Sequence, residues 1–171
     1  ERIPGPKLLG ENLKHGVYLV EDLGDRTLFE EITEKLHQPD GIGELRQRLR
    51  QAIRELARVQ VMAGKRMDFS ICYPYQSFSK DSVIYDLNYF REQFLDQQHI
   101  RYSRTALEED FNRFAGFILE ADQEYFMYRD FQSRNIMIRD NRIYFIDYQG
   151  GRKGPLQYDL AALLYQARAG L

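Results

Sequence analysis

The sequence predicts a mainly helical α+β fold in which one small β-hairpin carries a set of oxygen-bearing side chains. Three observations predict it. Apolar residues recur three or four positions apart over long stretches, as helices require. Two short apolar runs, Ile136-Met137-Ile138 and Ile143-Tyr144-Phe145-Ile146, flank a polar Asp140-Asn141 turn and read as strand, tight turn, strand. Asn135 follows Asp130 by five residues, and Asp147 follows Asn135 by twelve, so all three sit at the hairpin's open end.

Taken in order, residues 1–16 are rich in Pro, Gly and polar groups and read as a lead-in. Gly16-Val17-Tyr18-Leu19-Val20 is a short strand running into the turn Glu21-Asp22-Leu23-Gly24-Asp25. Asp25 or Thr27 caps a short helix through Leu28, Phe29, Ile32 and Leu36, which Pro39 and Gly41 stop. From Gly43 to about Gly64 the stripe Leu45, Leu49, Ile53, Leu56 and Ala57 predicts the clearest helix of the chain. A further helix is expected over 81–97 within an aromatic-rich stretch. Ser103 or Thr105 caps the next helix, with Leu107, Phe111, Phe114, Ala115, Ile118 and Leu119 as its core face. After the hairpin, Tyr158 to Arg168 forms a last apolar helix, with Gly170 beyond its end.

Composition narrows the function. The chain has 171 residues, 43% hydrophobic and 29% charged, with a net charge of −2, which gives no electrostatic basis for a nucleic-acid partner. Arg46, Arg48, Arg50, Arg54 and Arg58 alternate with Glu44 and Glu55, the pattern of a solvated helix face. No apolar run approaches the ~20 residues that span a bilayer. The single cysteine, Cys72, forms no internal disulfide, so a reducing, cytoplasmic setting is expected.

The chemistry lies in Tyr128-Arg129-Asp130-Phe131-Gln132-Ser133-Arg134-Asn135 and in Asp147. Folding the second strand back along the first returns Asp147 to the neighbourhood of Asp130 and Asn135. Mg²⁺ prefers oxygen ligands shared with phosphates, so this pattern points to phosphoryl transfer.

The order of motifs from Gly16 onward resembles the aminoglycoside phosphotransferase and choline kinase superfamily, which shares the protein-kinase fold. Tyr128-Arg129-Asp130 stands where that superfamily has His-Gly-Asp or His-Arg-Asp, and Gly154-Pro155-Leu156-Gln157-Tyr158-Asp159-Leu160-Ala161 is similar to its G-P-x-x-Y-D-L-A signature. Arg-Asp-Phe-Gln-Ser-Arg-Asn-Ile-Met, with Asp-Tyr-Gln-Gly after it, most resembles bacterial kinases of the anomeric hydroxyl of N-acetylmuramate and N-acetylglucosamine. Two departures stand out: Tyr128 replaces the usual His, and Gly150 stands where many relatives carry a second acidic residue.

The resemblance implies the C-terminal lobe of a protein-kinase-like fold, ATP and Mg²⁺ as nucleotide and metal, and a role for each matching residue. Asp130 is the expected catalytic base. Arg134 either neutralises phosphoryl charge or fixes the acceptor, or else is an ordinary exposed or salt-bridged Arg. Asn135 and Asp147 are the expected metal ligands. Backbone groups of Glu21, Asp22 and Leu23 form the nucleotide hinge, Asp159 supports the catalytic loop, and Tyr85 and Asp86 border the substrate pocket.

No Gly-rich phosphate loop and no strand Lys precede the hinge. Residues 1–25 are therefore expected to be a lead-in, last N-lobe strand and hinge. Residues 26–171 are expected to form the C-terminal lobe, largely without the N-terminal lobe that the full-length chain would supply. Such a fragment would be inactive alone, would expose Val17, Leu19 and Leu23, and could self-associate through that edge. The leading expectation is an ATP-dependent kinase of a sugar or amino sugar. Choline and aminoglycosides are alternative acceptors, and a non-catalytic kinase-derived binding or regulatory domain is the alternative from another class.

Overall fold

The computed structural model describes residues 3–166 and is α+β, with five helices and three separate two-stranded antiparallel sheets among those residues. The first sheet pairs β1 (Leu8–Asn12) with β2 (Val17–Val20). β1 was not legible in the Pro- and Gly-rich lead-in, because Gly10 interrupts a short run whose register shifts between Leu8 and Gly10. Both strands are exposed throughout, so Val17 and Leu19 stay 57% and 62% accessible although their backbones are paired. Leu23 departs from the expectation, being buried.

Helix α1 (Leu28–Lys35) starts at Thr27. The Thr27 hydroxyl accepts from the Glu30 amide and the Glu30 carboxylate accepts from the Thr27 amide, a reciprocal capping box. Helix α2 (Gly41–Gly64) begins at Gly41, the residue expected to stop the preceding helix. Any Cβ there would meet the Lys35 carbonyl at 1.9 Å, so a glycine lets the two helices join closely. The buried face of α2 is Leu45, Ala52, Leu56, Val59 and Gln60. Ala57 faces solvent, and Leu49 and Ile53 are half-buried, because the packed stripe runs through Ala52 and Leu56 rather than through 53 and 57.

Helix α3 (Lys80–Phe90), capped by Ser79, passes into a wider turn over Arg91–Leu95 with bonds from the Asp96 amide to the Arg91 carbonyl and from Ile100 to Leu95. The expected single helix over 81–97 is thus α-helical only as far as Phe90. Helix α4 (Arg104–Ile118) is capped by Ser103 and buries Phe111 and Ala115, whereas Phe114 is 49% exposed and does not belong to the core face.

The expected hairpin forms between β4 (Ile136–Arg139) and β5 (Arg142–Phe145), with Ile136 opposite Phe145 and Ile138 opposite Ile143. Asp140 and Asn141 both take positive φ, 51° and 59°, as the two-residue turn that matches strand twist demands. From α2, Arg48 donates to the Asn141 carbonyl at 3.2 Å and to its Oδ1 at 2.8 Å, and also bonds Glu31 at 3.2 Å. Hairpin residues Ile136, Ile138, Ile143 and Phe145 share one core with Leu28, Ile32, Leu45, Leu56 and Leu163.

The third sheet, β3 (Tyr125–Met127) with β6 (Arg152–Gly154), was not anticipated. Gly64 admits it: a Cβ there would lie 2.9 Å from the Tyr125 Cα. Helix α5 (Leu156–Leu164) starts two residues before Tyr158, while Arg168 and Gly170 lie outside the described residues. No helix of the described residues is long and apolar enough to cross a membrane.

Candidate functional site

The site grows from the loop between β3 and β4. β3 delivers Tyr128, Arg129 and Asp130. A short turn, Ser133–Asn135, then feeds β4, and the Asn135 amide closes it by donating to the Gln132 carbonyl at 2.9 Å. Asn135 is buried. Its side-chain amide donates to the Asp130 carbonyl at 2.9 Å and to Asp130 Oδ2 at 3.0 Å. Arg134 pairs with that same Oδ2 at 3.2 Å. At the far end of β5 the Ile146 amide donates to the Asn135 carbonyl at 3.1 Å, which ties Asp147 to the loop.

Two residues here adopt the left-handed backbone that side chains rarely take: Arg129 at φ 79° and Asp147 at φ 68°. Such conformations persist only where their surroundings over-determine them. For Arg129 the restraint is Asp159, which is fully buried and accepts from the Tyr128 and Arg129 amides at 2.8 Å each. Gln60 of α2 donates to the same carboxylate at 2.7 Å. A polar residue inside the apolar stripe of α2 was the sequence signal for this partner, and the sequence reading missed it. Ser133 is held in turn by Gln166, whose Oε1 accepts from the Ser133 amide at 3.0 Å and from its hydroxyl at 2.7 Å.

Burial raises the Asp159 pKa to about 6, although its three donors pull the other way. The native state therefore binds this proton more tightly than the unfolded chain. The group's contribution to stability is present below the ordinary value of 3.8 and is lost as pH rises through about 6. A shift of this size corresponds to about 3 kcal/mol between the two limits. The expected observation is a titration of the Tyr128 and Arg129 amide resonances with a midpoint near 6 that disappears in Asp159→Asn.

An open cleft of about 800 Å³ is lined by Asp130, Asp147, Arg129, Gln132, Gln149, Gly150 and the aromatic rim Tyr73, Tyr89 and Tyr158. The rim loop reaches it because the 76–78 segment bonds along β6: Lys153 donates to Gln76, and Phe78 donates to Lys153. Arg129 crosses to α3 and pairs with Asp86 at 2.6 Å. Tyr85 instead packs against Tyr75, with ring centroids 6.0 Å apart, and is not part of the cleft lining. At Gly150 a Cβ would stand 3.7 Å from the Arg129 Cδ, ordinary van der Waals contact, so a side chain begins there without a clash.

The segment expected to be the hinge is separate from this cleft. Glu21 lines a different cavity beside Lys7, Arg142 and Tyr144. The Glu21 amide donates to the Lys7 carbonyl at 2.8 Å, and the Asp22 carbonyl accepts from Arg139 at 2.6 Å. The structure thus brings Asp130, Arg134, Asn135 and Asp147 together and leaves Glu21, Asp22 and Leu23 apart from them.

A divalent ion suits the donor chemistry. No group of three or more His, Cys, Asp or Glu among the described residues could hold a metal alone. Mg²⁺ does not need one, since it takes one or two protein oxygens and completes its shell with phosphates and water. Asn135 spends its amide nitrogen on Asp130, so its Oδ1 is the atom left for a cation.

The sequence profile of the phosphotransferase enzyme family matches residues 1–170. The chain belongs to that family. This phosphotransferase-family chain is also 25% identical over 165 residues, 95% of its length, to the N-acetylmuramate/N-acetylglucosamine kinase of Neisseria meningitidis serogroup B (strain ATCC BAA-335 / MC58). It spans 46% of that relative's length.

Proposed function

We propose that the protein is an ATP-dependent phosphotransferase that moves the γ-phosphoryl group to a hydroxyl of a sugar or amino sugar. The observation that supports this most is the junction of Asp130, Asn135 and Asp147 at one end of a hairpin, on a loop pinned by buried Asp159. Asp130 orients the acceptor hydroxyl and takes its proton as the oxygen bonds to Pγ and the bond from Pγ to ADP breaks. Arg134 and Asn135 both occupy Oδ2, which leaves Oδ1 for that hydroxyl. Asn135 Oδ1 and Asp147 would hold Mg²⁺, which supplies charge neutralisation at the phosphates. In this reading residues 1–25 are the last N-lobe strand and hinge, and 26–171 are the C-terminal lobe. Adenine recognition at the hinge would then fall to the Glu21 carbonyl, the Asp22 amide and the Leu23 backbone, because the Glu21 amide and Asp22 carbonyl are already engaged.

The aromatic rim of the cleft supports a sugar acceptor. Tyr73 is 83% and Tyr89 59% exposed on its rim, offering aromatic faces for ring stacking beside hydrogen-bonding groups. The test is an acceptor screen on the full-length protein with Mg·ATP, followed by ³¹P NMR, across amino sugars, choline and aminoglycosides. An amino-sugar phosphate is the expected product. Turnover of choline or aminoglycosides alone would overturn the substrate class, and no transfer to any acceptor would count for the non-catalytic alternative.

A further inference from the structure

The residue that departs from the superfamily pattern, Tyr128, occupies a junction. Its backbone amide is bonded to Asp159, and its phenol donates to the carbonyl of Ile146, the residue immediately before Asp147. It is 2% exposed. Edge-on contacts surround the ring, with Phe131 at 5.4 Å, Phe145 at 6.1 Å, Phe126 at 6.3 Å and Tyr148 at 6.5 Å between centroids. A ring so enclosed has one orientation, and its hydroxyl reaches one acceptor.

We propose that Tyr128 is a positioning residue that fixes Asp147 in its left-handed conformation through the Ile146 carbonyl, and thereby sets the affinity of the Mg²⁺–nucleotide site. Asp159 holds the start of the Asp130 loop, and Tyr128 carries that restraint across to the other strand's exit. Together with the bond from the Ile146 amide to the Asn135 carbonyl, this side chain joins the two halves of the site. A hydrogen bond beyond the ligands themselves commonly governs metal affinity by about 10–100-fold. Burial, aided by the charge of Asp147, pushes the phenol above the ordinary tyrosine value, so it remains a donor throughout the physiological range.

The role rests on Asp147 as a metal ligand, so the experiment includes that residue. Binding of Mg²⁺ with a non-hydrolysable ATP analogue is measured calorimetrically in full-length wild type, Tyr128→Phe, Tyr128→His and Asp147→Asn, with thermal midpoints alongside. Phe keeps the ring packing and removes the donor, whereas His restores an N–H. Tyr128→Phe is expected to bind about tenfold more weakly with a midpoint within a few degrees of wild type, and Tyr128→His to recover most of that affinity. Unchanged binding in Tyr128→Phe alongside a loss in Asp147→Asn would overturn the coupling and leave the metal assignment standing. Unchanged binding in both would remove the metal assignment itself. Equal losses in Phe and His, or a Phe variant that fails to fold, would also overturn the proposal, since the bond would then serve only the core.

Discussion

In the full-length protein, Asp130→Asn is expected to lower kcat by on the order of 10²–10⁴-fold, with little change in the apparent KM for Mg–nucleotide. The substitution preserves side-chain shape and one acceptor oxygen. Arg134 at 3.2 Å and Asn135 at 3.0 Å can both bond to that oxygen, so the loop keeps its geometry. The carboxylate oxygen proposed to face the acceptor is lost. Steady-state kinetics on the best acceptor, with the thermal midpoint as a folding control, checks this. Wild-type turnover by the variant would end the catalytic assignment.

The second large effect is expected at Asp159. Asp159→Ala leaves three donors facing an apolar hole: the Tyr128 and Arg129 amides and Gln60 Nε2. Each orphaned buried donor costs about 1–3 kcal/mol. About 3 kcal/mol returns because an ionised group burdened by burial is gone. The net destabilisation is expected near 3 kcal/mol, or roughly a 6–12 °C drop in melting temperature for a chain of this size. Asp159→Asn keeps one acceptor and sheds the same charge, so it is expected to lie within about 1 kcal/mol of wild type. A melting series separates the two. If Ala proved no worse than Asn, the loop would not depend on this carboxylate.

The contrast between these sites mirrors what the sequence could convey. The hairpin was legible because β-branched residues flank Asp140-Asn141 and the turn tolerates positive φ at both positions. Helices α1, α2 and α4 were legible from Thr27, the apolar stripe and Ser103. Sheets formed by distant short segments were not. The apolar run of β1 is interrupted by Gly10, and its register shifts between Leu8 and Gly10, while β3 and β6 are three residues each, too short to show an alternation. Face assignments slipped by one position at Ala57 and Phe114, because a helix stripe read from apolar residues alone cannot tell which neighbours will cover it. Gln60, and the pairing of Arg129 with Asp86 across 43 residues, depend on tertiary contacts with no local signal beyond a polar residue in an apolar stripe.

The same limits apply to the segment expected to be the hinge. A strand leaving into Glu21-Asp22-Leu23-Gly24 was visible, but the partners of its backbone groups come from Lys7 and Arg139, far apart in sequence. Tyr128 is a similar case. Its identity stood out against the superfamily pattern, whereas its bond to Ile146 exists only once the hairpin has folded back.

Asp130, Asn135 and Asp147 are proposed to form one phosphoryl-transfer site. The most direct test is a crystal structure of the full-length protein with Mg²⁺ and a non-hydrolysable ATP analogue. A metal is expected at ~2.1 Å from oxygens of Asn135 and Asp147, sharing phosphate oxygens, with the γ-phosphate turned toward Asp130. A metal–nucleotide complex seated elsewhere, with Asp147 uncoordinated, would contradict it.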